Sequence, residues 1–220
     1  MIHVITSRNR HLYEGELTQH FRVRYDIYVR DRQWLALDRP VPLEIDQFDT
    51  LDAIYLLSID KGKLLGGSRL IPSMQPHLLS EVFPYLAPRG VPRRADVFEW
   101  TRIFVAKDQR GANGAAGTAK AAGGRALGEV LCGIFEFALD EGISAISAVG
   151  EMWWTPRFLE MGWKVEPLGL PTQIEGEWCN AFLFKVDDEV LANTRKCFGI
   201  EGSVLTRRGL RQPVVHHLDT

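Results

Sequence analysis

Residues Val97 to Val105 alternate in the manner of a strand, with Val97, Glu99, Thr101, Ile103 and Val105 on one side and Phe98, Trp100, Arg102 and Phe104 on the other. Both sides carry apolar residues, the pattern of a strand in the middle of a sheet covered on both faces. An acid and a base lie inside it. Burying Glu99 and Arg102 is costly unless each meets a partner, whether a structural counter-ion or a ligand.

The flanking pattern supplies elements of alternating type. Residues 2–6 read as a short strand, and from about Asn9 to Arg30 the apolar positions Leu12, Leu17, Phe21, Tyr25, Tyr28 and Val29 recur at helical spacing. Arginines crowd the polar side of that helix, but Arg24 lies four residues before Tyr28 and so can point inward with it. Pro40 and Pro42 rule out a long helix between Trp34 and Asp52. Runs over 53–59 and 63–71, joined by Asp60, Lys61 and Gly62, predict a hairpin, and the second run carries Arg69 among apolar neighbours. Five prolines make 72–96 irregular, with a short helix over Leu78–Leu86. Beyond the central strand the pattern predicts a helix from about Ala119 to Glu141 and a strand over Ile143–Val149. A helix from about Trp153 ends at Met161 and Gly162, followed by a strand over Ala181–Val186, a helix over Asp187–Phe198 and an exposed tail after Gly202.

Composition narrows the classes. In a chain of 220 residues, 45% of them hydrophobic, there is ample material for one domain with its own core. Lys and Arg number 26 against 28 Asp and Glu, a net charge of −2, which argues against a nucleic-acid partner held by phosphate neutralisation. Cys132, Cys179 and Cys197 are an odd number without CxxC spacing, which suits a reducing compartment and supports neither a disulfide framework nor a zinc site. With no apolar run of bilayer length, the expectation is a cytoplasmic protein with no membrane partner.

The acids of the 34–52 segment, Glu44, Asp46, Asp49 and Asp52, lack the spacing of a calcium loop, and no metal is expected there. Two other uses remain open: neutralising the arginine-rich helix, or holding the ammonium of an amino-acid-like substrate. Gln109 to Gly114 forms a glycine-rich turn that either cradles a phosphate or serves as a connector.

Taken together, the unexpected charges resemble, in order and spacing, the signature of the LuxI-type acyl-homoserine-lactone synthases. Arg24, Tyr28 and Trp34 are followed by Glu44, Asp46, Phe48 and Asp49 in an E-x-D-x-[FY]-D loop. Gly66 to Leu70 then form G-x-x-R-L, and Glu99 to Arg102 form E-x-[ST]-R. Tyr28 and Ile103 stand where that family usually has phenylalanine, departures that reshape a pocket without removing chemistry. In the second half, Trp153, Trp154, Pro156 and Arg157, then Gly162 to Lys164 and Pro167 to Pro171, are similar to the rhizobial branch, several of whose members take acyl-CoA.

The resemblance implies an α/β, GNAT-like three-layer sandwich with a twisted mixed sheet flanked by helices. It also implies a single domain whose N-terminal part holds S-adenosylmethionine and whose C-terminal part holds the acyl donor. The implied reaction acylates the amine of S-adenosylmethionine from an acyl thioester, then closes the lactone and releases methylthioadenosine, producing a quorum-sensing signal without a cofactor. The thioester is a short branched or aromatic acyl-CoA, with acyl carrier protein possible as the carrier. The implied catalytic set is Glu99, as proton acceptor, with Arg102, Arg69 and Asp46. Arg24, Tyr28, Trp34, Asp46, Asp49 and Arg102 are implied for S-adenosylmethionine. Trp100, Ile103, Phe104, Ile146, Ser147, Val149, Trp153 and Trp154 are implied for the acyl chain, and Arg110 for the CoA phosphates. Two competing functions follow from the same charges: an N-acyltransferase of another amine, and a non-catalytic acyl-CoA or nucleotide sensor.

Overall fold

The computed structural model describes residues 1–109 and 124–215, so Arg110, the glycine-rich turn and the start of the helix expected from Ala119 lie outside the described residues. The expected hairpin is present as β2 (Ile54–Asp60) and β3 (Lys63–Pro72), closed by Lys61 and Gly62 with φ of 48° and 76°. Two successive left-handed residues match the twist of the paired strands, and glycine takes that conformation without a Cβ clash. β1 (Ile2–Ile5) and β4 (Val97–Val105) flank the hairpin. β5 (Ala145–Glu151), β6 (Val165–Pro167), β7 (Thr172–Ile174), β8 (Glu177–Lys185) and β9 (Leu205–Thr206) complete one mixed sheet in the order β6-β8-β5-β4-β3-β2-β1-β9, with β7 also paired to β8.

Helices cover both faces, as the two-sided strand requires. On one face α1 (Glu14–Arg24) buries Leu17 and Phe21 against Tyr55, Leu57 and Phe104. The helix expected up to Arg30 changes form at Tyr25 and winds on to Asp31 as a wider π-helix that buries Tyr28. On the other face α3 (Gly124–Asp140) packs Leu131, Ile134 and Phe135 against Val4, Leu56, Phe98 and Trp100, with α5 (Asp188–Phe198) beside it. Two short helices, α2 (Leu78–Glu81) and α4 (Thr155–Glu160), stand at the edges of the site.

Two sequence expectations are corrected. The tail after Gly202 is not exposed throughout: β9 pairs parallel with β1, and Val204, Leu205 and Val214 are buried. Acids on and just beyond α3 hold it, Glu136 accepting from the Val204 amide at 3.1 Å and Glu141 from those of Val214 and Val215 at 2.6 and 2.8 Å. Alternation along β4 is also broken. Thr101 pairs with Arg69 and Phe104 with Gly67, so β4 spends one extra residue at a bulge, where Arg102 has φ of 57°. Side chains therefore change faces at this point: Phe98 and Trp100 join the α3-side core, whereas Phe104 packs on the α1 side with Tyr55 and Leu57. Gly67 makes room beside the bulge, since a Cβ there would lie 2.6 Å from Leu57.

Candidate active site

Strand pairing between β4 and β5 is parallel and brief. It runs through Val97–Ala145, Phe98–Ile146 and Glu99–Ser147 and then stops, and beyond it the two strands diverge. Their separated ends, Trp100 to Ile103 and Ala148 to Glu151, line the mouth of a cavity of about 90 Å³. The cavity continues to the α3 side, where Leu131, Trp154, Phe158, Met161, Trp163, Phe182 and Phe184 close it.

On the opposite face lies an ionic cluster of three arginines and three acids. Arg24, 0% exposed, donates to Glu44 through Nε and clasps Asp49 through both terminal nitrogens at 2.8 and 2.9 Å. Arg69, equally buried, donates to Asp46 at 2.6 and 3.0 Å and to the Thr101 hydroxyl at 3.1 Å, and lies 2.7 Å from Asp49. Arg102 donates to Glu44 at 3.0 Å and to Asp46 at 2.8 Å. The planar guanidinium fork makes these paired bonds possible where an ammonium would supply only a point charge. Formal charge sums to zero, which is how the interior tolerates it. A left-handed arginine costs roughly 1–3 kcal/mol, and here it is held by two carboxylates and by the Tyr28 ring 5.2 Å from its guanidinium. Tyr28 in turn stacks on Trp34 at 5.1 Å and donates to the Ile103 carbonyl.

Electrostatics follow from this pairing. Burial pushes the Glu44 and Asp49 carboxyls up, but Arg24, with Arg102 for Glu44 and Arg69 for Asp49, outweighs it and holds both below the ordinary carboxylate range. Burial opposes the charge on Arg24, and Asp49 and Glu44 more than restore it. His20, buried beside Arg24, is kept neutral mainly by burial. Depressed acids add stability that is present above their unfolded values, near pH ~4, and is lost as pH falls through the folded ones. Thermal midpoints should therefore hold steady above pH ~5 and drop steeply below pH ~4; replacing Glu44 and Asp49 by their amides should flatten that acid limb in a calorimetric series.

Glu99 stands apart from the cluster. It lies on the same face, two residues along β4 from Thr101 and so about 7 Å away, but its carboxylate, 0% exposed, turns towards α2. There it accepts from the Leu78 and Leu79 amides at 2.9 and 2.6 Å and contacts His77 Nδ1 at 3.0 Å.

Of the residues expected to bind S-adenosylmethionine, Arg24, Tyr28, Asp46, Asp49 and Arg102 come together with Arg69 of the expected catalytic set, and Trp34 stacks at the edge. Asp46 and Asp49 brace arginines, the first of the two uses left open by the sequence. Of the expected acyl wall, Trp100, Ile103, Val149 and Trp154 line the cavity. Phe104 is in the α1-side core because of the bulge, and Ile146 packs in the α3-side core. Ser147 faces Glu99's side of the sheet, and Trp153 is 46% exposed, stacked on Trp154. Arg110 lies outside the described residues. Two residues had been assigned no catalytic or binding role beforehand. Glu44 joins Arg24 to Arg102, and its place at the head of the acidic loop motif was a usable signal. His77 had no such signal, because only the tertiary fold brings it to Glu99.

A family model described as autoinducer synthase matches residues 8–193. The isovaleryl-homoserine lactone synthase of Bradyrhizobium diazoefficiens is 44% identical over 182 residues, covering 82% of this chain and 78% of that protein. Among solved structures, the CoA-dependent acyl-homoserine lactone synthase BjaI, determined with SAM and isopentyl-CoA, superposes with a TM-score of 0.87 at 40% identity over 96% of this chain and 94% of BjaI. The CoA-dependent synthase MesI gives 0.82 at 43% identity over 93% and 98%. A putative N-acetyltransferase from Lactobacillus plantarum, at 15% identity and a TM-score of 0.52 over 84% of this chain and 99% of that one, shares the fold.

Proposed function

The chain belongs to the autoinducer synthase family, and on that premise we propose which thioester it takes and how its residues divide the work. It is an acyl-homoserine-lactone synthase, a maker of quorum-sensing signals. Its substrates are S-adenosylmethionine and a short branched acyl-CoA, and the chemistry calls on no cofactor beyond them. The amine attacks the thioester carbonyl; the substrate carboxylate then displaces the sulfonium, closing the lactone and releasing methylthioadenosine.

The observation that carries this reading is the fork between β4 and β5, which has the buried ionic cluster on one face and an apolar cavity on the other, with Arg102 reaching both. An amino-acid headgroup suits the first and an acyl tail the second, so the thioester carbonyl lies between them. Tyr28, Trp34 and the Arg24, Arg69 and Arg102 cluster form the S-adenosylmethionine side, with Glu44, Asp46 and Asp49 fixing the guanidinium groups. Proton removal falls to the centre built on Glu99, at the apex of the fork. Backbone N–H groups of the strand would stabilise the oxyanion. The division between the two substrate sites runs along β4, since Trp100 and Ile103 serve the cavity.

Size narrows the acyl group. The apolar cavity has a volume of about 90 Å³ and opens at the fork. A volume of that order suits a short tail, and the similarity to the isovaleryl-homoserine lactone synthase favours a branched one. We assign the cytoplasm as the site of action, where both substrates are made; no helix among the described residues is long and apolar enough to cross a membrane.

Incubation with S-adenosylmethionine and isovaleryl-, octanoyl- and aromatic acyl-CoAs, with acyl carrier protein thioesters alongside, should yield methylthioadenosine by mass spectrometry, fastest with isovaleryl-CoA. Acylation without methylthioadenosine would instead indicate an N-acyltransferase of another amine, and thermal stabilisation without turnover a sensor. Trp154→Ala, which opens the cavity wall, is expected to raise the octanoyl-to-isovaleryl ratio of kcat/KM by about tenfold or more. An unchanged ratio with a lowered melting point would make Trp154 a core residue only.

A further inference from the structure

Two buried polar atoms flank Glu99 without a protein partner among the described residues: His77 Nε2 and Ser147 Oγ. His77, Glu99 and Ser147 are each 0% exposed. Ser147 faces Glu99 across the last rung of the β4–β5 pairing, so the group stands where the sheet begins to open. All three lie on the face that carries Arg69 and Thr101, because Phe98, Trp100, Ile146 and Ala148 direct their side chains into the α3-side core and the residues between them point the other way.

The contact with an ionised Glu99 calls for one histidine tautomer. An ionised carboxylate accepts and does not donate, so the 3.0 Å contact between Nδ1 and Glu99 Oε1 places the hydrogen on Nδ1. In the neutral ring Nε2 then presents a lone pair. Glu99 itself already receives three donors, from Nδ1 and from the Leu78 and Leu79 amides. Oε1 carries two of these donors and Oε2 one, while the imidazole that Glu99 orients has an atom, Nε2, with no partner among the described residues. A carboxylate on one ring nitrogen and a free lone pair on the other is the arrangement that makes imidazole a general base.

We propose that Nε2 of His77 takes the proton from the attacking amine, with Glu99 as the positioning residue that holds the ring in this tautomer and Ser147 supplying a hydroxyl beside the path. This rests on the reading above that the chain acylates an amine at the fork. Of the three ammonium protons, one passes to Nε2 and its electron pair on nitrogen forms the C–N bond. The C–S bond of the thioester then breaks with its pair going to the CoA sulfur. A second proton leaves the nitrogen and ends on that thiolate, the third stays on the amide, and Nε2 returns its proton to solvent.

His77→Asn separates the roles, since the Asn side-chain amide keeps an N–H near the Nδ1 position for Glu99 but has nothing at Nε2. Turnover with isovaleryl-CoA should fall about 100-fold or more, with KM for S-adenosylmethionine and the melting temperature little changed. The deficit should shrink as pH is raised towards ~8, where α-amino groups lose their proton unaided; a purely structural role would leave it constant. If His77→Asn keeps turnover within about threefold of the parent while Glu99→Gln loses it, His77 is only a strut and Glu99 is the base, which overturns this inference and leaves the function intact. If both variants keep full turnover, the base assignment under the proposed function fails too. Should the Asn variant not fold, His77→Gln provides the same comparison, its amide reaching the Nε2 position but unable to accept a proton.

Discussion

Replacing Arg24 by Met is expected to destabilise the fold by about 3–5 kcal/mol, the usual consequence of removing one partner from a buried ionic pair. For a chain of this size that corresponds to a fall of about 6–20 °C in melting temperature. Arg24 is fully buried and serves Glu44 and Asp49 at once, so its loss leaves two carboxylates without their main counter-ion. Met preserves length and apolar contact with the α1 side, so the measured difference reports mainly the charge. Arg24→Lys should recover part of the loss, because an ammonium restores the charge but not the paired bonds to Asp49. Chemical denaturation of the three proteins checks this; a Met variant within 1 kcal/mol of the parent would mean that the attraction in the cluster merely offsets its desolvation.

Glu99→Gln is expected to lower turnover by about 10²–10⁴ while the protein stays folded. Its carboxylate accepts at both oxygens, whereas an amide presents one acceptor and one donor, so one of the bonds to His77, Leu78 or Leu79 must fail. A lost charge-assisted bond costs about 1.5–3 kcal/mol, which for this size predicts a melting point lower by roughly 3–12 °C. Kinetics measured well below that midpoint separate the two effects. Turnover that declines only in proportion to the unfolded fraction would reduce Glu99 to a cap for α2.

Much of the site was legible before any coordinates. Arg69 and Arg102 were out of place in apolar strands, Arg24 shared a helix side with Tyr28, and the acidic loop offered those arginines counter-ions. Each signal is local, and each reflects the cost of burying charge. The hairpin was legible from its turn residues, which take left-handed conformations, and the last helix was expected over Asp187–Phe198, where Asp187 proves to be its cap.

Other features left no local trace. Strands β6, β7 and β9 are two or three residues long, too short to show a period, and exist because β8 and β1 offer them an edge. Phe104 was assigned to the wrong face because a bulge inserts one residue without changing the letters, and only the partner strand reveals the shift.

From its residues alone, then, this chain specified which charges must be buried and which strands must be covered on both faces, because period and desolvation act on near neighbours. Tertiary structure decided which acid meets which arginine, which way Glu99 turns, and how large the acyl cavity is. Those depend on contacts between residues tens of positions apart, where small changes in register and bulging decide which side chains meet.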